Sequence, residues 1–174
     1  MSVTQTLDQI SAKVTQVAER VENAPPGVMD RVAGLLLGGG ALGVIGMAVY
    51  LTPDPNGFGT HRQLGLGGCT MLTLTGWPCP MCGMTTTFTL FAHLRPLDAT
   101  LNQPFGMVLF PLTCALAALG LADAITGRGA LRGALKWIQR RERFWAGVLL
   151  FGMIGGWIYK CLRMHPELLG LPLA

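Results

Sequence analysis

Residues 32–51, VAGLLLGGGALGVIGMAVYL, decide the fold, because they form a run of twenty residues without a charge. A helix of about that length crosses the hydrocarbon core of a bilayer. Two further apolar runs, at about 104–122 and 144–162, contain one charged residue between them, Lys160. The sequence therefore predicts an all-α integral membrane protein with three transmembrane helices. A cleaved signal peptide is the alternative interpretation of the first run, and the length of the run disfavours it.

The composition agrees with a protein that lies largely in lipid. Hydrophobic residues make up 51% of the chain and charged residues 13%, with a mean hydropathy of +0.46. A soluble domain carries about a quarter charged residues. The net charge of +4 comes mainly from one basic loop. That distribution is typical of membrane topology, so we expect the lipid bilayer as a partner and no nucleic acid.

Glycines within the apolar runs recur at a spacing of four residues, which lets two helix backbones approach closely. We expect helix packing at three such pairs: Gly34 and Gly38, Gly39 and Gly43, Gly152 and Gly156.

Lysine and arginine residues set the predicted orientation. Six of them lie in the loop at 123–143, whereas the longer segment between the first two spans holds only Arg62 and Arg95. The positive-inside rule puts the 123–143 loop and the N-terminus in the cytoplasm. Lys160 and Arg163 oppose this orientation mildly, since they fall at the outer end. We expect part of 123–143 to lie on the inner membrane surface as a basic amphipathic helix.

The sequence predicts a separate N-terminal amphipathic helix at residues 1–26, ahead of a membrane domain at 27–174. Its apolar residues alternate in steps of four and three, as in a short heptad seam: Val3, Leu7, Ile10, Val14, Val17 and Val21. Such a helix either associates with itself or a partner protein, or lies on the membrane surface.

Three of the five cysteines lie in the segment 68–95, in the order Cys69, Cys79 and Cys82. Pro80 suits the first position of a helix, so we expect Cys79 to act as the helix cap. A sulfur at that place would face the positive end of the helix dipole, which favours the thiolate. The segment therefore carries the most informative chemistry in the chain.

Three interpretations of these cysteines stay open from their spacing alone. A metal site, with zinc as the expected ion, would use all three, and His93, His61 or water would be the fourth ligand. A thiol–disulfide site would use Cys79 and Cys82, with Cys69 as the third thiol. In the third interpretation the sulfurs pack as small hydrophobic groups or form one static disulfide.

The residues after Cys82 predict a short helix that ends before Arg95-Pro96. It is too short to cross a bilayer, so we expect a re-entrant or interfacial half-helix. Its threonines, at 85–87 and 89, should bond to carbonyls of the preceding turn or to a neighbouring helix.

The cysteine segment resembles a known family, domain of unknown function 2752, over about residues 66–115. The matching residues are Cys69, then Gly76-x-Pro78-Cys79-Pro80-x-Cys82-Gly83-x-Thr85, then Gln103-Pro104-Phe105-Gly106. The resemblance implies a bacterial multi-span inner-membrane protein and brings no established activity. Thr86 stands where the family usually has arginine, which puts any mechanism that needs a cation beside the cysteine turn in doubt.

The sequence favours a non-enzymatic accessory or scaffold component of a membrane, because it contains no nucleophile–base pair or phosphate loop. The alternative is a membrane thiol–disulfide or metal-handling protein that uses Cys79 and Cys82. A channel is less expected, since the spans carry almost no charge. It would require an oligomer whose pore is lined by the threonines at 85–89.

Overall fold

The computed structural model describes residues 5, 9, 11–16 and 26–165. The regular structure of this part of the chain is helical throughout, without a strand, which confirms the predicted all-α class. A 3₁₀ turn, Thr60–Leu64, lies between the first two of seven α-helices in residues 26–165: α1 Pro26–Tyr50, α2 Thr70–Thr75, α3 Met84–Ala92, α4 Pro96–Asn102, α5 Gly106–Thr126, α6 Ala130–Gln139 and α7 Glu142–Met164.

Three of these helices, α1, α5 and α7, are long and apolar enough to cross a membrane. Each extends a few residues beyond the apolar run that predicted it. Only 22%, 17% and 17% of their most apolar windows are buried within the chain. Because large exposed apolar surfaces need a cover other than water, this is the surface that lipid would take.

The helices α1 and α5 pack closely along their length. A side chain could not fit at the contact: a Cβ atom at Gly38 would lie 2.8 Å from Cα of Gly120, and one at Gly34 would lie 2.5 Å from the carbonyl oxygen of Gly120. The predicted Gly34/Gly38 pair thus lies against a third glycine. At Gly39 and Gly43, by contrast, no atom lies within 4 Å of the Cβ position.

The Gly152/Gly156 pair of α7 receives an aromatic side chain rather than a second helix backbone. The ring of Phe105 lies 2.8 Å from the Cβ position of Gly152, and its Cβ lies 3.0 Å from that of Gly156. Close packing at these glycines therefore joins α7 to the residues that lead into α5.

At the opposite end of the long helices, the basic amphipathic segment forms α6. The buried carboxylate of Asp123 accepts hydrogen bonds from the backbone N–H groups of Ala130 (2.8 Å) and Leu131 (2.7 Å), which lack partners within the helix. Arg132 forms an ion pair of 2.6 Å with Asp30 of α1. The helix is thus fixed to both neighbours, and its place on a membrane surface stays a prediction.

The predicted short helix after Cys82 is α3, in which Thr86, Thr87 and Thr89 are buried and hydrogen-bonded and Thr85 is partly exposed. Thr87 and Thr89 donate to carbonyls four residues earlier, at 3.0 and 2.8 Å. The hydroxyl of Thr86 lies 2.8 Å from that of Thr60. The expected hydroxyl bonding is confirmed. A pore lined by this helix face is wrong, because Thr86, Thr87 and Thr89 are fully buried within one chain.

In the N-terminal segment, residues 11–16 are helical. Val14 is 62% exposed. The other predicted heptad positions lie outside the described residues: Val3, Leu7, Ile10, Val17 and Val21.

Candidate functional site

One cavity of about 240 Å³ brings the three predicted cysteines together. Cys69, Cys79 and Cys82 line it with His61 and Arg62 from the 3₁₀ turn. All three are free thiols. The structure therefore gathers thiols that are as far as thirteen positions apart in the chain into one small space.

The backbone around this cavity is shaped by tight turns. Cys69 immediately precedes α2, in an extended conformation. Cys79 and Cys82 lie at the two ends of a turn that is closed by a bond of 2.9 Å from the Cys82 N–H to the Cys79 carbonyl. Gly83 follows with a φ of 83°, and α3 begins only at Met84. The prediction that Cys79 caps the helix is wrong, because the left-handed Gly83 separates the turn from α3.

Gly83 also has no room for a side chain. A Cβ atom there would lie 2.6 Å from the Gly57 carbonyl oxygen and 3.0 Å from Nζ of Lys160. Gly76, which ends α2, has a similar φ of 74° and open space around its Cβ position. Gly83 thus allows a close backbone approach as well as a left-handed turn, whereas Gly76 allows the turn alone.

The three thiols differ in acidity. A hydrogen bond from the Leu72 backbone N–H lowers the pKa of Cys69, and contact with the Cys79 thiol lowers it further. Burial raises the pKa of Cys79, and the neighbouring Cys69 adds to that rise. Burial raises the pKa of Cys82 to about 11. The predicted thiolate at Cys79 is therefore wrong, and Cys69 is the thiol whose surroundings favour ionisation.

The proposed fourth metal ligand, His93, is not at the cavity. It lies at the far end of α3 from Cys82, where its Nδ1 is 2.8 Å from the Thr89 carbonyl oxygen. His61 does line the cavity, and its Nε2 is 3.2 Å from the Gly67 carbonyl oxygen. Among the described residues, no group of three His, Cys, Asp or Glu side chains is placed to hold a metal ion. The zinc prediction thus lacks a complete set of ligands there.

The last turns of α7 contact the cysteine segment directly. Nε1 of Trp157 donates a hydrogen bond of 2.7 Å to the carbonyl of Pro78, next to Cys79. The ring of His165 lies 4.5 Å from that of Trp77, and its Nε2 is 3.2 Å from the Gly76 carbonyl oxygen. Sequence reasoning missed these contacts, because nothing in the apolar run 144–162 indicates which segment its tryptophan meets.

Lys160 of α7 places a buried positive charge beside the cysteine turn. Its Nζ donates to the Gly57 carbonyl (3.1 Å) and to Oδ1 of Asn102 (2.7 Å). Nδ2 of Asn102 in turn donates to the Gly83 carbonyl and to the Thr87 hydroxyl, at 3.1 and 2.9 Å. The cation that seemed to be missing at Thr86 thus comes from another helix. Its solitary charge in the third apolar run was the available signal.

The Gln103-Pro104 stretch connects α4 to α5 and contacts α7. The side chain of Gln103 is fully buried, and its Nε2 lies 3.4 Å from the Cβ position of Gly156. Neither its Nε2 nor its Oε1 has a hydrogen-bond partner in the part of the chain that the structure describes. Thr87 leaves no room for a side chain at Gly106. This stretch is therefore a packing element between α3 and α7.

The fold and the site together define a helical protein with three helices that are long and apolar enough to span a membrane and a cysteine-lined cavity at one end of them. The model of a family described as "Protein of unknown function (DUF2752)" matches residues 69–117. The match runs from the first cavity cysteine into α5, and it confirms the resemblance. Trp157 and Lys160 lie outside it. No curated protein and no solved structure matches the chain.

Proposed function

We propose that this protein is a non-enzymatic accessory or scaffold component of a bacterial inner membrane, and that its cysteine segment is the joint that holds the third span. One observation carries the proposal. Three side chains from one turn of α7 donate to backbone carbonyls in that segment and in the chain on either side of it: Trp157 to Pro78, Tyr159 to Leu101 and Lys160 to Gly57. The cysteine segment thus has a structural role that requires no reaction at its sulfurs.

The joint matters because α7 makes little close backbone contact with α1 or α5 among the described residues. Each hydrogen bond in such a joint contributes about 1 kcal/mol to stability. Several of them, together with Phe105 on the glycine pair, fix the position of α7.

The substitution Trp157→Phe tests the joint, because it removes the indole donor and keeps an aromatic ring. We expect the free energy of unfolding in detergent to fall by about 1 kcal/mol. Trp145→Phe is the matched control, since Nε1 of Trp145 is buried on the same helix without a hydrogen-bond partner in the described structure. Equal losses for the two variants would contradict the joint.

The proposal includes a partner and an orientation. The open glycine face at Gly39 and Gly43 and the N-terminal helix are the surfaces that we assign to a protein partner or to self-association. The basic α6 region and the N-terminus are placed in the cytoplasm, and the cysteine segment outside. Labelling of Cys69 in intact cells with a membrane-impermeant thiol reagent tests this orientation. A thiol that reacts only after the cells are broken would reverse it.

Thiol–disulfide exchange is the second candidate function, and the position of Cys69 and Cys79 on the wall of the same small cavity favours it. The Cys69 thiolate would attack a disulfide of a partner protein, which forms a mixed disulfide and releases one partner thiolate. The Cys79 thiol, after losing its proton, would attack the Cys69 sulfur and release the second partner thiolate. Two electrons pass to the partner, and a Cys69–Cys79 disulfide is left behind.

This second function predicts that Cys69 is alkylated faster than the other thiols of the folded protein. It also predicts that Cys69→Ser and Cys79→Ser each abolish the reduction of a model disulfide substrate. Cys114→Ser, in the middle of α5, is the control. Retained disulfide reduction in both cavity variants would exclude this pair.

A further inference from the structure

A second cavity, of about 480 Å³, lies at the same end of the long helices as the cysteine cavity. That volume is within the range of roughly 300–1,000 Å³ that is usual for small-molecule sites. Its charged lining residues are Asp54, Arg95, Asp98, Lys160 and Arg163. The cavity is therefore large enough and polar enough to hold a charged group.

Of the two carboxylates of the cavity, only Asp98 has an ion-pair partner among the described residues. Asp98 pairs with Arg95 at 2.7 Å. Oδ2 of Asp54 and Nε of Arg62 both lie within 4 Å of the Cβ position of Gly59, at 3.3 and 3.7 Å. Asp54 thus lies near Arg62 without an ion pair within 4 Å in the described part of the chain, and the three cations of the cavity outnumber its two carboxylates.

Lys160 and Arg163 have no carboxylate within 4 Å among the described residues. Lys160 is only 5% exposed, and its third contact, to the backbone carbonyl of Asn102, is long at 3.4 Å. Nη1 of Arg163 makes long contacts too, 3.4 Å to the Leu101 carbonyl and 3.3 Å to the Tyr159 hydroxyl. A buried cation with only neutral acceptors is costly, and an anion in the cavity would offset that cost.

The position of the cavity indicates what kind of anion it meets. Arg163 and Met164 end the third long helix, and Pro53 follows the first by three residues. Trp157 and Tyr159 lie within one turn of Lys160 on α7, and aromatic residues mark the boundary between lipid and water. Lipid headgroups lie at that boundary, and their phosphates are the anions present there.

We propose that this cavity binds the phosphate group of a phospholipid. Lys160 and Arg163 contact the phosphate, and the apolar lining residues Leu101 and Met164 face the glycerol and the start of the acyl chains. Arg163 can donate to two phosphate oxygens at once, which favours phosphate over a point-like anion. This inference shares Lys160 with the proposed joint, but its test rests on Arg163, which is not one of the residues that carry the joint.

The test uses the purified full-length protein in detergent, with thermal unfolding measured against added lipid. We expect phosphatidylglycerol to raise Tm, and diacylglycerol with the same chains to leave Tm unchanged. Arg163→Gln should weaken the apparent affinity for phosphatidylglycerol about tenfold, since a charge-assisted hydrogen bond is lost. Lys136→Gln, an equal loss of charge on the exposed face of α6, should change it less than twofold.

A rescue variant and a soluble anion complete the design. Arg163→Lys keeps the charge and should recover part of the affinity, whereas a merely structural role would show no difference between lysine and glutamine. If inorganic phosphate raised Tm as much as phosphatidylglycerol does, the occupant of the cavity would be a soluble phosphate and not a lipid. Equal effects of diacylglycerol and phosphatidylglycerol, or equal losses in the Arg163→Gln and Lys136→Gln variants, would overturn the proposal. None of these outcomes tests the hydrogen bond from Trp157 to Pro78, on which the proposed joint is tested.

Discussion

The contact between α1 and α5 and the attachment of α7 are built in different ways. The first places glycine against glycine, with Gly38 and Gly120 so close that neither tolerates a side chain. The second uses hydrogen bonds from α7 to the cysteine segment and to the loop at Gly57, and the ring of Phe105. Backbone packing needs only the two helices themselves, whereas the polar attachment needs a folded cysteine segment. The two contacts can therefore be broken separately.

The largest expected effect is a break of the α1–α5 contact by Gly38→Val. Its Cβ would lie 2.8 Å from backbone atoms of Gly120, and neither backbone can yield without separating the helices. We expect a loss of about 3 kcal/mol in the free energy of unfolding, measured in detergent. Gly39→Val, with nothing within 4 Å of its Cβ position, is the control and should change it by less than about 0.5 kcal/mol. Similar losses at both positions would contradict the packing.

The second largest effect is expected from Gly83→Ala, in the cysteine segment to which α7 is attached. The substitution is strained by the φ of 83° and by the Gly57 carbonyl at 2.6 Å. We expect a loss of about 2 kcal/mol in the free energy of unfolding. Gly76→Ala has the same backbone strain without the close contact, so it should cost about 1 kcal/mol. If the two variants were equally destabilised, the close approach of Gly57 to Gly83 would not be present in solution.

A smaller effect is expected in the pH dependence of stability, and it should come from the cysteine segment and not from the α1–α5 contact. Burial raises the pKa of Cys82 from an ordinary value of 9.0 to about 11, so the folded state favours the neutral thiol. Its contribution to stability is complete below about pH 9 and is lost as the pH rises towards 11. We expect it to amount to about 1–2 kcal/mol, after allowance for solvent.

The measurement compares unfolding of the wild type and of Cys82→Ala between pH 7 and 11. The difference in stability between the two proteins should shrink above pH 9, because only the wild type loses the contribution of the thiol. A difference that stays constant across this range would mean that Cys82 has an ordinary pKa. The Gly38→Val variant should show the same pH dependence as the wild type, since its defect lies in the other contact.

The sequence was sufficient for the long helices and insufficient for the site around the cysteines. Apolar runs of about twenty residues locate α1, α5 and α7 because helix formation in lipid depends on local composition. The helix after Cys82 was predicted correctly, but its cap was wrongly assigned to Cys79 because Pro80 suits a helix start, whereas the left-handed Gly83, packed against Gly57 and Lys160, precedes α3. His93 was assigned to the cysteines by proximity in sequence, and the length of α3 separates it from them.

The bond between Trp157 and Pro78 joins residues that are 79 positions apart, and that between Lys160 and Gly57 joins residues 103 apart. Contacts between such distant residues form late, because a long stretch of chain must be ordered before they are made. Among the described helices, α7 is synthesised after the other six. A nascent chain would therefore carry its cysteine turn without its tryptophan and lysine partners until α7 follows, and the turn would reach its final form only when α7 is in place.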